Sequence, residues 1–174
     1  KSHPEGPSSA HLDEQQSDER VHPWDDGTDP RSLGRPYDAE GTPKRRVDLV
    51  RGGITVGLTH DRRSAALAGT ESTGSSIGQE SFGGYAGDLF FEGGDETLEQ
   101  LIAGVERGLL VTDFWYNRIL DPKTQVVTGL TRNGLFLIEH GEVTQPVQNL
   151  RYTQSVVGAL APRTVLRLGN DAEL

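Results

Sequence analysis

LLVTDFWYNRILDPKTQVVTGLTRNGLFLIEHGEVTQPV, residues 109–147, decides the fold class of this chain. It is rich in β-branched and aromatic residues and is punctuated by turn residues, the pattern of a β-meander. LLVTDFWYNRIL is expected as one strand with DPKT as its turn. QVVTGLT is expected to pair through Arg132-Asn133-Gly134 with LFLIEH, because Asn-Gly fits the primed turns that match strand twist. His140-Gly141-Glu142 reverses the chain again into VTQPV. With side chains alternating along a strand, Phe114 and Tyr116 would face one way, and Trp115, Asp113 and Asn117 the other. Aromatics on both faces suit a strand buried between sheet layers or between subunits.

Upstream, DETLEQLIAGVERG predicts a helix. Thr97 and Gln100 form a capping box, Leu98, Leu101, Ile102 and Val105 one apolar face, and Gly108 the stop. GDLFFEGG reads as a strand. RRVDLVR and ITVGLT read as a hairpin turning at Gly52 and Gly53, and HDRRSAALAG as a helix closed by Gly69. Between them ESTGSSIGQESFGGY, residues 71–85, is small and polar. It lacks the Gly-Lys-Ser/Thr of a phosphate loop, so a mobile loop or partner-binding lid is expected. Downstream, NLRYTQSVVGAL reads as a short helix with Leu150, Val157 and Leu160 inward, and TVLRL as a last strand. The class is β-rich α+β: mostly antiparallel sheet with two or three short helices.

The chain divides by composition into residues 1–20, 21–94 and 95–174, expected together as one compact domain and a fragment of a longer chain. The first section is polar, so disorder or a loosely held insertion is expected. Its His3 and His11 invite a metal reading, but HLDE lacks the spacing of a zincin helix. Residues 21–43 are loop-rich, with Trp24 and Tyr37 as anchors against a sheet. DDGTDP lacks the spaced oxygen ligands of a calcium loop and reads as a turn.

Net charge is -9 and the isoelectric point about 5.0, which repels nucleic acid phosphate. Lys1, Lys44 and Lys123 are the only lysines among 17 basic residues, a bias expected of a GC-rich genome or a salt-adapted, halophilic source. There is no cysteine and no apolar run near the ~20 residues of a membrane helix, so no thiolate metal site and no membrane partner are expected. A cytoplasmic location is the default.

Residues 93–152 resemble the C-terminal region of the TldD/TldE family, whose TldE branch is also called PmbA. The stretches that carry this are DETLEQLIAGVERGLLVTDFWYNRILDPKT and TGLTRNGLFLIEHGEVTQPVQNLRY. DDGTDPRSLGRPYDAEGTPKRRVDLVRGGITVGLTHDRRSAALAG looks like the family's central section. The resemblance spans roughly residues 19–174 and leaves out the tail. It implies a cytoplasmic metallopeptidase assembly, once named a modulator of DNA gyrase, that processes peptides, including microcin precursors and an antitoxin. TldD-type subunits carry zinc on a histidine-glutamate helix plus a later cysteine, and they pair with TldE-type subunits that lack it. FWYNRILDPKT and TGLTRNG look like TldE. The implied role is therefore a non-catalytic partner and substrate-enclosing scaffold, paired with a TldD-like subunit or with a second copy. The alternative is a competent zinc metallopeptidase whose ligands lie outside these residues.

No catalytic or metal residue is assigned within the chain, and zinc is expected only elsewhere in the full-length protein or on its partner. By resemblance, Ser72, Thr73, Gly74 and Ser75 form a peptide-proximal loop, and Phe114, Trp115, Tyr116 and Arg118 lie at a cleft or interface. His60-Asp61-Arg62-Arg63 could suggest catalysis, but without a nucleophile or metal it reads as a helix cap by Asp61 with solvated arginines. Arg118 and Asp121 are expected as a structural ion pair.

Overall fold

The computed structural model describes residues 10–79, 83–122 and 124–170. The backbone divides at Glu92–Gly93 into two compact units.

The first unit contains β1 (Pro23–Asp25), β2 (Val47–Asp48), β3 (Val50–Arg51), β4 (Ile54–Thr55), α1 (Arg62–Ala68) and β5 (Leu89–Phe91). β1 is the middle strand of an antiparallel sheet ordered β2-β1-β5, with Trp24 opposite both Asp48 and Phe90. Trp24 stacks on Phe90, centroids 5.7 Å apart. Arg31 covers the Phe90 ring at 4.7 Å and Arg46 the Trp24 ring at 4.5 Å. Asp29 and Asp48 hold these arginines, and the hydrogen bonds from Arg31 keep the Asp29 carboxyl at about 2. Trp24 is thus the expected anchor. Tyr37 is not: it is half exposed and bridges only to Pro43.

β3 and β4 form the expected hairpin, turning on Gly52 and Gly53 at φ 60° and 78°. Residues 10–20, expected as loose tail, pack on this hairpin. Gln15 bridges to Ile54, and the Asp13 N–H donates to Thr55 O at 2.9 Å. Asp18 is 1% exposed, and its carboxylate accepts from Arg20. Polar composition misleads here because these residues bond to backbone rather than build a core. Gly53 is required twice, since a Cβ there would also lie 2.2 Å from Ser17 O. His3 lies outside the described residues.

The second unit contains α2 (Leu98–Ala103), β6 (Arg107–Val111), β7 (Phe114–Asp121), β8 (Val126–Thr131), β9 (Leu135–Glu139), β10 (Glu142–Pro146), β11 (Arg151–Ser155) and α3 (Val156–Ala159). The Thr97–Gln100 capping box forms as expected, but the helix stops at Gly104, not Gly108. Val105 and Glu106 carbonyls accept from Gly141 and His140 N–H groups, so sheet pairing claims the chain before Gly108, which lies inside β6.

The meander has three long arms, each broken at its middle. LLVTDFWYNRIL is not one strand: it splits at Thr112–Asp113 into β6 and β7. Nor do β8 and β9 pair with each other across Arg132-Asn133-Gly134. They are successive halves of the central arm, in sheets ordered β11-β8-β7 and β10-β9-β6. Asn133 at φ 59° and Gly134 at φ 148° interrupt the extended backbone. Thr112 N–H donates to Gly134 O, Arg132 N–H to Asp113 O, and Val147 N–H to Leu135 O, so the arms stay in register across the break. The His140-Gly141 reversal between β9 and β10 forms as expected.

Two more expectations change. NLRYTQSVVGAL is helical only over α3; its first half is β11, which completes the sheet beside β8, and Leu150 and Val157 are exposed. TVLRL forms no strand. Glu96 bridges Gly169 and pairs with Arg167 at 3.1 Å, tying this segment to the start of α2. Among the described residues the buried apolar side chains are few: Val21, Ala65 and Phe90 in the first unit, Leu135 and Ile138 in the second. The class is the expected one, mostly antiparallel strands in several sheets with three short helices.

Candidate functional site

Each unit carries one candidate. In the first, the turn through Ser72, Thr73, Gly74 and Ser75 wraps the backbone of His60. Thr73 Oγ1 accepts from the His60 N–H at 2.7 Å, while Thr73 N–H and Ser72 Oγ donate to His60 O at 3.0 Å each. The Thr73 and Ser75 hydroxyls pair with each other at 2.8 Å and both residues are buried. Within the loop expected over residues 71–85, of which 80–82 lie outside the described residues, residues 72–75 therefore form a pinned turn. Thr73, Gly74 and Ser75 are buried, Ser72 and Ser76 half-buried, and Glu71 and residues 77–79 exposed. A cleft of about 390 Å³ opens beside it, lined by Arg45, Val47, Val56, Leu58, His60 and Thr73 among others.

His60 does no visible chemistry there. Its Nδ1 lies 3.3 Å from Ser64 Oγ, but Ser64 is engaged in the capping box of α1, where Asp61 Oδ1 accepts from Ser64 N–H at 2.6 Å. Burial disfavours the Asp61 charge, yet the hydrogen bonds from Ser64 outweigh it and hold the carboxyl below its ordinary value. Asp61 is the helix cap the sequence suggests. Arg62 reaches Glu40 through its N–H and Thr42 through its side chain.

In the second unit, β7 is an edge strand, and Phe114 through Leu120 are all exposed. This rules out burial between sheet layers of this unit, one of the two settings the aromatic run suggested. The alternation also fails. Tyr116 has φ 56°, and the register to β8 shifts between Trp115 and Arg118 and again between Ile119 and Asp121. These bulges turn what would be a regular ladder into an uneven rim of rings.

The rim is held in place by its neighbours. Phe114 meets Tyr152 of β11 edge-on at 4.9 Å. Arg118 lies over the Tyr116 ring at 4.8 Å and donates to its hydroxyl at 2.8 Å; Arg132 lies over the Trp115 ring at 4.4 Å. The expected Arg118–Asp121 ion pair is replaced by this contact, and Asp121 instead accepts from Thr124 Oγ1. Of this rim, the sequence singles out Phe114, Trp115, Tyr116 and Arg118. It missed Arg132, Asn117, Tyr152 and Gly129, although a glycine inside a strand is a signal of close approach.

Among the described residues, no group of three or more His, Cys, Asp or Glu side chains is placed to hold a metal ion. No helix among the described residues is long and apolar enough to cross a membrane.

A family model described as PmbA/TldA metallopeptidase C-terminal domain matches residues 5–174. Metalloprotease PmbA of Escherichia coli O157:H7 is 27% identical over 142 residues, 79% of this chain and 28% of that protein. Among solved structures, TldE from Thermococcus kodakarensis is 30% identical, with a TM-score of 0.71, covering 86% of this chain and 34% of that one. A candidate modulator of DNA gyrase from Bacteroides thetaiotaomicron is 28% identical, with a TM-score of 0.70, over 92% and 34%. Another from Thermotoga maritima is 22% identical with a TM-score of 0.81 over 94% and 37%, a likeness of fold. The chain thus spans about a third of the length of these relatives.

Proposed function

This chain belongs to the PmbA/TldA metallopeptidase family as its C-terminal domain, and from that we propose that it is the non-catalytic, substrate-enclosing part of a TldD/TldE-type peptidase. The observation that carries the reading is β7: a strand of exposed aromatic and aliphatic side chains, held rigid by Arg118, Arg132 and Tyr152, in a domain of a peptide-cleaving family. Exposed apolar patches of this kind mark contact surfaces. An extended peptide lying along it would bury apolar side chains against the rings. In this reading, Phe114, Trp115, Tyr116 and Arg118 face the cleft or the partner subunit. The 72–75 turn meets peptide through Ser72 and backbone, because Thr73 and Ser75 point their hydroxyls inward.

The TldE-like blocks and the TldE relative from Thermococcus kodakarensis support the non-catalytic branch. Zinc then sits on a TldD-like partner, and the assembly matures peptides in the cytoplasm. The test is zinc stoichiometry of the full-length protein purified alone, with peptide cleavage measured with and without a TldD-type partner. Zinc-free protein that cleaves only with its partner supports the reading. Bound zinc with chelator-sensitive cleavage by the protein alone replaces it with a self-sufficient peptidase.

A further inference from the structure

We propose that β7 selects acidic, apolar-rich peptide segments, with carboxylates received by Arg118 and Arg132 and apolar side chains by the exposed rings beside them. This rests on the peptide-enclosing reading and names its substrate class.

The argument starts from charge. The chain carries -9, yet residues 114–132 hold three basic residues, Arg118, Lys123 and Arg132, against the single acid Asp121. Elsewhere, Arg20, Arg31, Arg46, Arg51 and Arg167, five of the other twelve arginines, each reach a carboxylate within the fold. Arg118 and Arg132 instead rest on Tyr116 and Trp115, and neither is ion-paired among the described residues. Of the neighbouring acids, Asp113 accepts from the neutral Asn133 Nδ2 at 2.8 Å.

A guanidinium lying on a ring is fixed in plane while its edge N–H groups stay free to fork a carboxylate. Arg118 uses one nitrogen on the Tyr116 hydroxyl and keeps others available. The rings beside it are open: Trp115 is 49% and Tyr116 62% exposed, and Ile119 and Leu120 extend the apolar surface.

The backbone argues for readout by side chains. Edge strands recruit other strands through an unbroken ladder, but β7 carries two register shifts and a left-handed Tyr116. Simple strand addition, by a peptide or by a second copy, is therefore disfavoured over its length.

The test uses the full-length protein and fluorescently labelled, unstructured peptides of matched length. These carry the same leucines and phenylalanines interspersed with glutamate, lysine or serine. Anisotropy should show the glutamate peptide binding roughly tenfold tighter than the lysine peptide, with the preference shrinking as salt rises. Arg118→Gln and Arg132→Gln should each weaken the glutamate peptide by roughly fivefold to tenfold and the serine peptide by about twofold at most, the smaller loss reporting the rings the guanidiniums rest on. Arg132→Lys should recover part of the loss. Trp115→Ala should weaken glutamate and serine peptides alike. Unchanged far-ultraviolet circular dichroism excludes misfolding of the variants.

Equal binding of acidic and basic peptides would overturn the proposal, as would a preference that survives both glutamine substitutions. A Trp115→Ala variant that turns a dimer into a monomer without changing peptide affinity would also overturn it and make β7 a self-contact. Partner-dependent cleavage that persists without acidic preference sinks this inference alone. Failure to bind or cleave any peptide sinks the broader reading as well.

Discussion

Tyr152 of β11 donates its hydroxyl to Asn117 Oδ1 of β7 at 2.5 Å, and the two side chains meet across Gly129 of the strand between them. A Cβ at Gly129 would lie 2.3 Å from Asn117 Oδ1 and 2.8 Å from the Tyr152 ring. Asn117 Nδ2 in turn donates to Phe114 O, so this contact helps to shape the bulged rim.

Gly129→Ala should therefore push Asn117 and Tyr152 apart and cost about 1–3 kcal/mol. Urea unfolding followed by near-ultraviolet circular dichroism measures it, and Phe114–Tyr152 packing should loosen in the same variant. An unchanged midpoint would mean that the contact does not constrain the strand.

The two tryptophans separate the two units spectroscopically, since Trp24 lies in the first and Trp115 in the second. Phe90 is 5% exposed under Trp24 and Arg31. Phe90→Ala should cost about 3–5 kcal/mol, detected through Trp24 fluorescence in a Trp115→Phe background. Trp115→Ala leaves a half-exposed site and loses one cation–π contact, so its cost should be about 1 kcal/mol or less.

Acid should unfold the first unit in a sense set by its buried carboxylates. Burial disfavours the Asp88 charge, but hydrogen bonds from Lys44 and Ser32 prevail and lower its pKa below 3.8. Asp88 thus stabilises the fold above the unfolded value, and that stability is lost as pH falls through the folded one. Asp25 runs the other way: burial raises it, despite the N–H of Asp88 at 2.8 Å. Its penalty is present at neutral pH and is relieved as pH falls towards 3.8. Asp25→Asn keeps an acceptor for Asp88 N–H, so it should be neutral or stabilising at pH 7. Asp88→Asn should destabilise at pH 7 and flatten the acid limb. Urea midpoints between neutral and acid pH check both signs.

Two glycines at similar positive φ should respond differently to alanine. Gly69 caps α1 at φ 67° with no atom within 4 Å of an added Cβ, so Gly69→Ala should cost only the left-handed backbone term, ~1–2 kcal/mol. Gly74 sits at φ 73° with Pro43 O 2.4 Å from the added Cβ. Gly74→Ala should add about 1–3 kcal/mol of overpacking and release the turn around His60. Hydrogen exchange of the Thr73 amide would report that release.

Local chemistry was legible in the sequence wherever its partners lie within a few residues. Asp61 and Ser64, Thr97 and Gln100, Gly52 with Gly53, and His140 with Gly141 each form the cap or turn that their residue types favour. The aromatic cluster was visible as Phe114, Trp115 and Tyr116, and so was Arg118. Their exposure was not, because an aromatic run looks the same on a rim as in a core.

Residue order alone settled the β-rich class, the N-terminal helix caps and the Gly52-Gly53 and His140-Gly141 turns, since these depend on backbone preferences and neighbours at short range; it misplaced the Asn133-Gly134 hairpin and the Gly108 stop. Tertiary structure decided where strands stop and what they pair with. A strand end is set by whichever distant segment claims its hydrogen bonds: Val105 and Glu106 answer to residues of the β9–β10 turn, Thr112 to Gly134, and Arg132 to Asp113. The same long-range pairing broke the arms of the meander, left β7 at an edge and brought Tyr152 beside Phe114.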